Sequence, residues 1–164
     1  MAKTSPVGIL VGSDSDLDVM RNATATLEEL GVGYELRVAS AHRTPARVRA
    51  YAEEAAVRGV KVIICGAGMA AHLGGAVAAL TELPVIGVPM PGGIADGLDA
   101  LLSTAQMPAG VPVATVAVGK AGAVNAALLA ARILALYDQE LAARLRDYRK
   151  KMAAAVEAKD AEAG

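Results

Sequence analysis

The sequence predicts an α/β fold, in which a five-stranded parallel sheet is covered by helices on both faces. Short β-branched runs bounded by Gly or Pro alternate along the chain with segments rich in helix formers. The strand segments are almost wholly apolar, which is typical of parallel strands buried on both faces. With 164 residues and no internal linker or repeat, the chain is predicted to form one domain, residues 1–164.

The strands and helices can be placed in order along the chain. Five buried strands are predicted, at Val7–Val11, Tyr34–Val38, Val60–Cys65, Val85–Val88 and Val113–Val118. Helices are predicted between them, at Leu17–Leu30, Pro45–Arg58, His72–Leu80 and Leu98–Ala105. Gly31 and Gly59 stand where the first two helices should end, and Pro45 stands where the second should begin.

Two further helices are predicted after the last strand. The segment Val124–Tyr137 is apolar nearly all round, more than a single chain of this size can bury, so an oligomer is expected. Glu140–Ala158 is an amphipathic pattern whose charges are interpreted as a solvated face. Residues 1–6 and 159–164 are predicted to be flexible ends.

Composition and charge exclude several classes of protein. The mean hydropathy is +0.41, yet only 2% of residues are aromatic. The uncharged run Val62–Leu80 is long enough to cross a bilayer, but its glycines and His72 favour strand, loop and helix, so no membrane contact is expected. Because 16 Lys and Arg nearly balance 17 Asp and Glu, no nucleic-acid partner is expected. The first residues show neither signal nor transit character, which favours a cytoplasmic location.

Candidate functional residues are sought in the loops that follow the strands, because ligands of open α/β sheets bind at the carboxyl ends of the strands. The first such loop, Gly12–Asp16, opens a helix and offers Ser13 and Asp16. Simple helix capping also explains these side chains, and that alternative remains open. The loop matches neither the dinucleotide-binding nor the P-loop pattern, so neither cofactor is expected.

The next two loops contain the only two histidines of the chain. The loop Ser40–Pro45 places a hydroxyl, an imidazole and a guanidinium close together, a set that can bind phosphate and move a proton at neutral pH. In the loop Gly66–Leu73, two glycines allow main-chain amides to approach a ligand. A structural role would explain either His alone, but their shared position at strand ends favours function.

Other chemistries find less support in the sequence. Cys65 lies inside an apolar strand, so a buried structural thiol is predicted in preference to a nucleophile. No acidic cluster accompanies the histidines, and no metal is expected. The nucleophile elbow of serine hydrolases is missing as well.

Four segments together resemble a known family. GSDSD, SAHRTP, GAGMAAHL and VGKAGAVNAALLAARIL, in this order and spacing, resemble the class I PurE proteins, the 5-(carboxyamino)imidazole ribonucleotide mutases of purine biosynthesis. The resemblance extends from Val7 to Tyr148. It implies a three-layer αβα fold of flavodoxin-like or Rossmann-like type and a homo-octamer that uses the C-terminal helices. It further implies a small nucleotide as substrate, active sites near subunit junctions, and no metal or organic cofactor.

The resemblance also assigns roles to residues. It implies that His42 is the catalytic proton carrier and that Ser13, Asp16 and Arg43 contact the nucleotide. Ser40 would join Arg43 at the phosphate, because a hydroxyl and a guanidinium suit that group. The pocket for a carbon dioxide intermediate would be lined by the loop after the third strand, with the candidates Gly66, Ala67, Gly68, His72 and Leu73.

The chain departs from the family pattern at two places. Gly74 stands where family members usually have Pro, and Pro91-Gly92-Gly93 replaces a loop that usually contains Ser.

Two alternative functions remain open. One is the class II activity, direct carboxylation of aminoimidazole ribonucleotide by carbon dioxide; Arg43 and His72 argue against it. The other is a nucleotide-binding module without catalysis, since a fold alone does not decide function.

Overall fold

The computed structural model describes residues 5–163. Its five strands are β1 Val7–Val11, β2 Tyr34–Val38, β3 Val62–Ala67, β4 Val85–Pro89 and β5 Ala114–Thr115. Its six α-helices are α1 Leu17–Glu29, α2 Pro45–Ala55, α3 Leu73–Ala78, α4 Leu98–Ala105, α5 Gly119–Ala135 and α6 Gln139–Ala163. Two short 3-10 turns, Asp14–Asp16 and Ile94–Asp96, precede α1 and α4.

All five strands are parallel and follow the order β2-β1-β3-β4-β5. Val7 of β1 is paired with Tyr34 on one side and with Val62 on the other. The chain therefore moves outward from β1 in one direction and then returns to build the sheet in the other. This order is the flavodoxin-like one, and it creates a crevice between the carboxyl ends of β1 and β3. The predicted fold class is confirmed.

Alternate residues of the strands feed two separate cores. Ile9, Ile64 and Ile86 face a core that contains α1 and α5. Leu10 and Ile63 face a second core that contains α2 and α3. The sheet is thus buried between two helical layers, which explains the long apolar runs of the sequence. Cys65 lies in the second core as a buried free thiol, as predicted, and burial raises its pKa.

Three strands differ from their predicted bounds, and of these β4 only extends one residue further, to Pro89. We expected the third strand at Val60–Cys65, but β3 begins two residues later because the N–H of Val60 closes the turn after α2 on the carbonyl of Ala55. The fifth strand was expected at Val113–Val118, whereas β5 has two residues. It is an edge strand that pairs with β4 through Ala114 and Thr115.

The helices α2 and α3 are shorter than predicted, and the C-terminal helices are longer. α5 begins at Gly119, before the predicted Val124, because small residues allow its first turns to pack closely. Its buried positions are all Gly or Ala, while Leu128 and Leu129 are only half-buried. α6 extends to Ala163, past the predicted Ala158, and the flexibility of the end from Lys159 stays a prediction. Of the ends expected to be flexible, residues 1–4 and Gly164 lie outside those described.

Among residues 5–163, no helix combines the length and the apolar character that crossing a bilayer requires. The run Val62–Leu80 instead forms β3, a loop and α3, as the sequence indicated. Its glycines separate the strand from the helix.

Candidate active site

Four loops meet at the carboxyl edge of the sheet and enclose a cavity of about 510 Å³. They follow β1, β2, β3 and β4, and the crevice between β1 and β3 lies at their centre. Eight of the ten predicted site residues line the cavity: Ser13, Asp16, Ser40, His42, Arg43, Ala67, Gly68 and Leu73. The topology therefore brings together side chains that are far apart in sequence.

The loop after β1 is shaped by its own side chains. The Ser13 hydroxyl caps the 3-10 turn, accepting from the N–H of Ser15 at 3.4 Å, and it donates to Asp14 Oδ1 at 3.0 Å. Capping is thus real, and it also leaves the Ser13 hydroxyl on the cavity wall. Burial raises the pKa of Asp16, although the Ser15 hydroxyl, the main chain of Ser13 and the Arg43 guanidinium act in the opposite direction. Asp16 therefore faces a positive group in a partly desolvated site.

Arg43 connects the loop after β2 to the loop after β1. Its Nη2 donates to the carbonyl of Gly12 at 2.9 Å. Its main-chain N–H donates to the Ser40 hydroxyl at 3.1 Å, and its Nε lies 3.5 Å from the same oxygen. Thr44 closes the loop, because its hydroxyl accepts the N–H of Ser40 at 2.9 Å. The guanidinium is consequently held at the cavity while part of its donor set stays available for an anion.

The two histidines of the chain form a pair. His42 Nε2 lies 2.8 Å from His72 Nδ1, and the rings meet edge to face with centroids 4.9 Å apart. One of the two nitrogens must carry the hydrogen of this bond, so the tautomers of the two rings are linked. The bond uses Nε2 of His42, so Nδ1 is the ring nitrogen that remains for another partner, and His42 lines the cavity. The sequence placed both histidines at strand ends but could not reveal that they touch.

Two of the predicted residues do not line the cavity, namely Gly66 and His72. Gly66 acts in packing: a Cβ there would lie 2.6 Å from Met90 Cε, and its carbonyl accepts the N–H of Gly12 at 3.0 Å. His72 contacts His42, which lines the cavity. Direct contact of Gly66 and His72 with a ligand stays a prediction.

Some lining residues were missed by the sequence analysis. Met69 and Ala70 complete the loop after β3, and the loop after β4 contributes Met90, Pro91 and Gly93. The position of the loop after β4, at the end of a strand, was the signal that could have predicted its place at the site. The loop contains no reactive side chain. The loop turns sharply, since Ala95 and Asp96 have φ of 48° and 53°. Asp96 accepts the N–H of Gly92 at 2.9 Å and so holds the turn.

A larger cavity lies at the opposite, amino edge of the sheet. It measures about 960 Å³ and is bounded by the ends of α2 and α3 and by the chain segments that enter β4 and β5. None of the predicted site residues lines it. Within residues 5–163, no three His, Cys, Asp or Glu side chains are grouped closely enough to hold a metal ion. The polar groups that can act together are those of the smaller cavity.

Comparisons with known proteins find relatives over most of the chain. The family model described as AIR carboxylase matches residues 6–155. A relative from Brucella melitensis, named N5-carboxyaminoimidazole ribonucleotide mutase, is 58% identical over 144 residues, which cover 88% of this chain and 89% of the relative. A relative of the same name from Mycobacterium tuberculosis is 58% identical over 156 residues, which cover 95% of this chain and 88% of the relative.

The fold of the chain is also found in a solved structure. The crystal structure of Treponema denticola PurE matches it with a TM-score of 0.86 at 34% identity, covering 95% of this chain and 96% of that one. This agreement supports the α/β fold built around the parallel sheet. The resemblance seen in the four sequence motifs is confirmed, and the chain belongs to the AIR carboxylase family.

Proposed function

We propose that this protein is an isomerase of purine biosynthesis. It converts 5-carboxyamino-1-(5-phosphoribosyl)imidazole to 5-amino-1-(5-phosphoribosyl)imidazole-4-carboxylate. The observation that carries the proposal is the cavity in which His42 lies beside Ser13, Asp16 and Arg43. Relatives named as the mutase, at 58% identity over most of the chain, support the same substrate.

The polar side of the cavity is proposed to bind the nucleotide. Arg43, with the hydroxyls of Ser13 and Ser40, holds the 5′-phosphate through charge-assisted hydrogen bonds. Asp16 accepts hydrogen bonds from the ribose hydroxyls, a role that needs its ionised form. The bond from Arg43 to the Gly12 carbonyl supports this arrangement, because it orients the guanidinium before substrate arrives.

The reaction is proposed to pass through decarboxylation and recarboxylation. The bond between the exocyclic nitrogen and the carboxylate carbon breaks, releasing carbon dioxide, and His42 gives a proton to that nitrogen. Ring carbon 4 then attacks the same carbon dioxide, and His42 takes the proton that this carbon loses. The proton of His42 is restored at the end of the cycle, so the sequence is balanced without a co-reactant.

The apolar side of the cavity is proposed to retain the carbon dioxide. Ala67, Gly68 and Leu73 line this part of the wall, and none of them has a polar side chain that would bring in water. Keeping carbon dioxide next to the ring converts a bimolecular encounter into an intramolecular step, an advantage of up to about 7 to 11 kcal/mol in favourable systems. The size of the cavity, about 510 Å³, suits one nucleotide.

The closest competing activity is direct carboxylation of aminoimidazole ribonucleotide, which the description of the family model also names. The test supplies either the carboxyamino isomer, or aminoimidazole ribonucleotide with bicarbonate, and follows the 4-carboxylate. We expect rapid turnover of the carboxyamino isomer. Efficient turnover of the second mixture alone would overturn the mutase assignment. If His42→Asn changes neither turnover nor substrate binding, the protein is better described as a nucleotide-binding module without catalysis.

A separate proposal concerns the assembly and the cellular location. We propose a cytoplasmic homo-oligomer, an octamer by analogy with the family resemblance. The half-buried side chains of Leu128 and Leu129, and the exposed Leu136 and Tyr137, support further packing against other copies. Sedimentation of the purified protein tests this proposal, and a stable monomer at assay concentration would contradict it.

A further inference from the structure

The hydroxyl of Ser103 spans the gap between α4 and the loop after β3. Ser103 is half-buried on the last turn of α4, outside the residues that line the candidate site. Its Oγ accepts the main-chain N–H of Ala71 at 3.0 Å. The same Oγ is within donating distance of the Met69 carbonyl, at 3.1 Å, and of the carbonyls of Asp99 and Ala100 in its own helix, at 2.8 and 3.3 Å.

The loop that Ser103 holds has an unusual main chain. Met69 has φ of 55°, a left-handed conformation that non-glycine residues rarely adopt. Two tight hydrogen bonds follow it, from the N–H of Ala71 to Met69 and from the N–H of His72 to Ala70, at 2.9 and 2.8 Å. A left-handed methionine persists only when its surroundings hold it, and Ser103 is the side chain that contacts both ends of this turn.

The turn ends at the histidine that contacts His42. His72 directly follows Ala71, and its Nδ1 lies 2.8 Å from His42 Nε2. A change in the turn therefore moves the imidazole that selects the tautomer and orientation of His42. A displacement of about 1 Å in such a group can cost up to about a hundredfold in rate.

We infer that Ser103 is a positioning residue: by holding Met69 and Ala71, its hydroxyl sets the contact between His72 and His42. The inference rests on the proposed function only where rate is the readout. Ser103 itself touches neither the cavity nor a histidine. Its effect on the reaction is exerted through the main chain of the loop.

The test compares Ser103→Ala with a matched variant of the next residue, Thr104→Val. The Thr104 hydroxyl donates at 2.7 Å to the Ala100 carbonyl within α4, so its removal leaves the loop untouched. We expect Ser103→Ala to lower kcat about tenfold with less change in KM, and to alter the pH–rate profile. Thr104→Val should stay within about twofold of the parent, and Ser103→Thr, which keeps the hydroxyl, should retain the rate.

A double-mutant cycle tests the proposed cause. Gly adopts the left-handed conformation without penalty, so in a Met69→Gly background the loss caused by Ser103→Ala should shrink to about twofold. An equal loss in both backgrounds would show that Ser103 does not act through the Met69 turn. An unchanged kcat in Ser103→Ala would overturn the positioning role itself.

A readout independent of activity separates this inference from the proposed function. The ring nitrogen signals of His42 and His72 in ¹⁵N NMR report their hydrogen bond and tautomers. They should shift in Ser103→Ala and not in Thr104→Val, whatever reaction the protein catalyses. Unshifted signals in a folded Ser103→Ala protein would refute the inference. If parent protein lacks mutase activity while the signals shift, only the proposed function fails.

Discussion

The carboxyl and amino edges of the sheet hold cavities of about 510 and 960 Å³, and only the smaller one is surrounded by reactive side chains. At the amino edge, main-chain bonds join segments, such as the N–H of Lys61 to the carbonyl of Pro6. At the carboxyl edge, the side chains of Arg43 and Ser103 cross from one segment to another. Cavity volume alone therefore does not identify the site. The site is identified by polar groups that converge from the ends of several strands.

The two edges also differ in main-chain strain. The turns that lead into strands at the amino edge reverse with glycine at positive φ, as at Gly31, Gly59 and Gly110. Among residues 5–163, the non-glycine residues with positive φ are Met69, Ala95 and Asp96, in the loops after β3 and β4. Left-handed non-glycine residues cost about 1 kcal/mol or more, and they persist where surrounding contacts determine the position. The strain coincides with the proposed active site.

The largest expected contrast between the edges concerns His42. His42→Asn removes the proton carrier and should lower kcat by about a hundredfold to ten-thousandfold while substrate still binds. Glu82→Gln at the larger cavity is the matched change at the amino edge and should leave kcat as it is. Steady-state turnover and calorimetric binding measure both. Equal effects of the two variants would remove the distinction between the edges.

A second contrast concerns binding by Arg43. Arg43→Ala loses charged hydrogen bonds worth about 1.5 to 3 kcal/mol, so KM should rise about tenfold to a hundredfold. Arg43→Lys keeps the charge but not the planar donor set, and an intermediate KM is expected. Initial rates over a range of substrate concentrations test this. A KM unchanged in Arg43→Ala would place the phosphate elsewhere.

A third contrast compares glycines at the two edges. In Gly66→Ala, the new methyl group would lie 2.6 Å from Met90 Cε and 3.1 Å from Met20 Cγ, and such overpacking costs about 1 to 3 kcal/mol. Gly110→Ala has no atom within 4 Å of the new Cβ, so the strain at φ of 96°, about 1 kcal/mol, is its main cost. Urea unfolding measures both. Only Gly66→Ala should also change KM, because Met90 lines the cavity.

The smallest expected effect is on stability at Asp16. Because burial raises its pKa, the folded protein binds the Asp16 proton more tightly than the unfolded chain does. Stability is therefore lost as the pH rises through the pKa of Asp16 in the unfolded chain and then through its pKa in the folded protein. Ionised Asp16 destabilises the folded state at neutral pH. Asp16→Asn should raise the free energy of unfolding at pH 7 by up to about 0.5 kcal/mol while weakening substrate binding.

The pH dependence provides the control for Asp16→Asn. Below the ordinary aspartate pKa of 3.8 both forms of the protein carry a neutral group, so the stability difference should vanish there. Urea unfolding at several pH values follows it. A variant that is less stable at pH 7 would show that Asp16 serves the fold more than the ligand.

Much of the fold was predictable because the buried strands can be recognised in the sequence as apolar runs. β1 and β2 have the predicted bounds, and α4 does as well. The strand β3 was misplaced because the main chain of Val60 is used in a turn, and no side-chain pattern records that bond. α5 was begun too late, since Gly119 reads as a helix breaker until close packing is known.

The candidate site was predictable where it depends on reactive side chains. His42, Arg43, Ser13 and Asp16 stood out as reactive groups after strands, and all four line the cavity. The loop after β4 was noticed only as a departure from the family pattern, because Pro and Gly contribute shape and no reactive group. The packing of Gly66 was not predictable, since it depends on Met90, just after β4, and on Met20 of α1.

The sequence by itself determined the alternation of strands and helices, the charge balance and the identity of the reactive side chains, because these depend on local composition and order. The tertiary structure alone decided which of those side chains meet. The 2.8 Å contact between His42 and His72 joins two loops thirty positions apart. Such a contact arises from strand order and packing, and no local pattern encodes it.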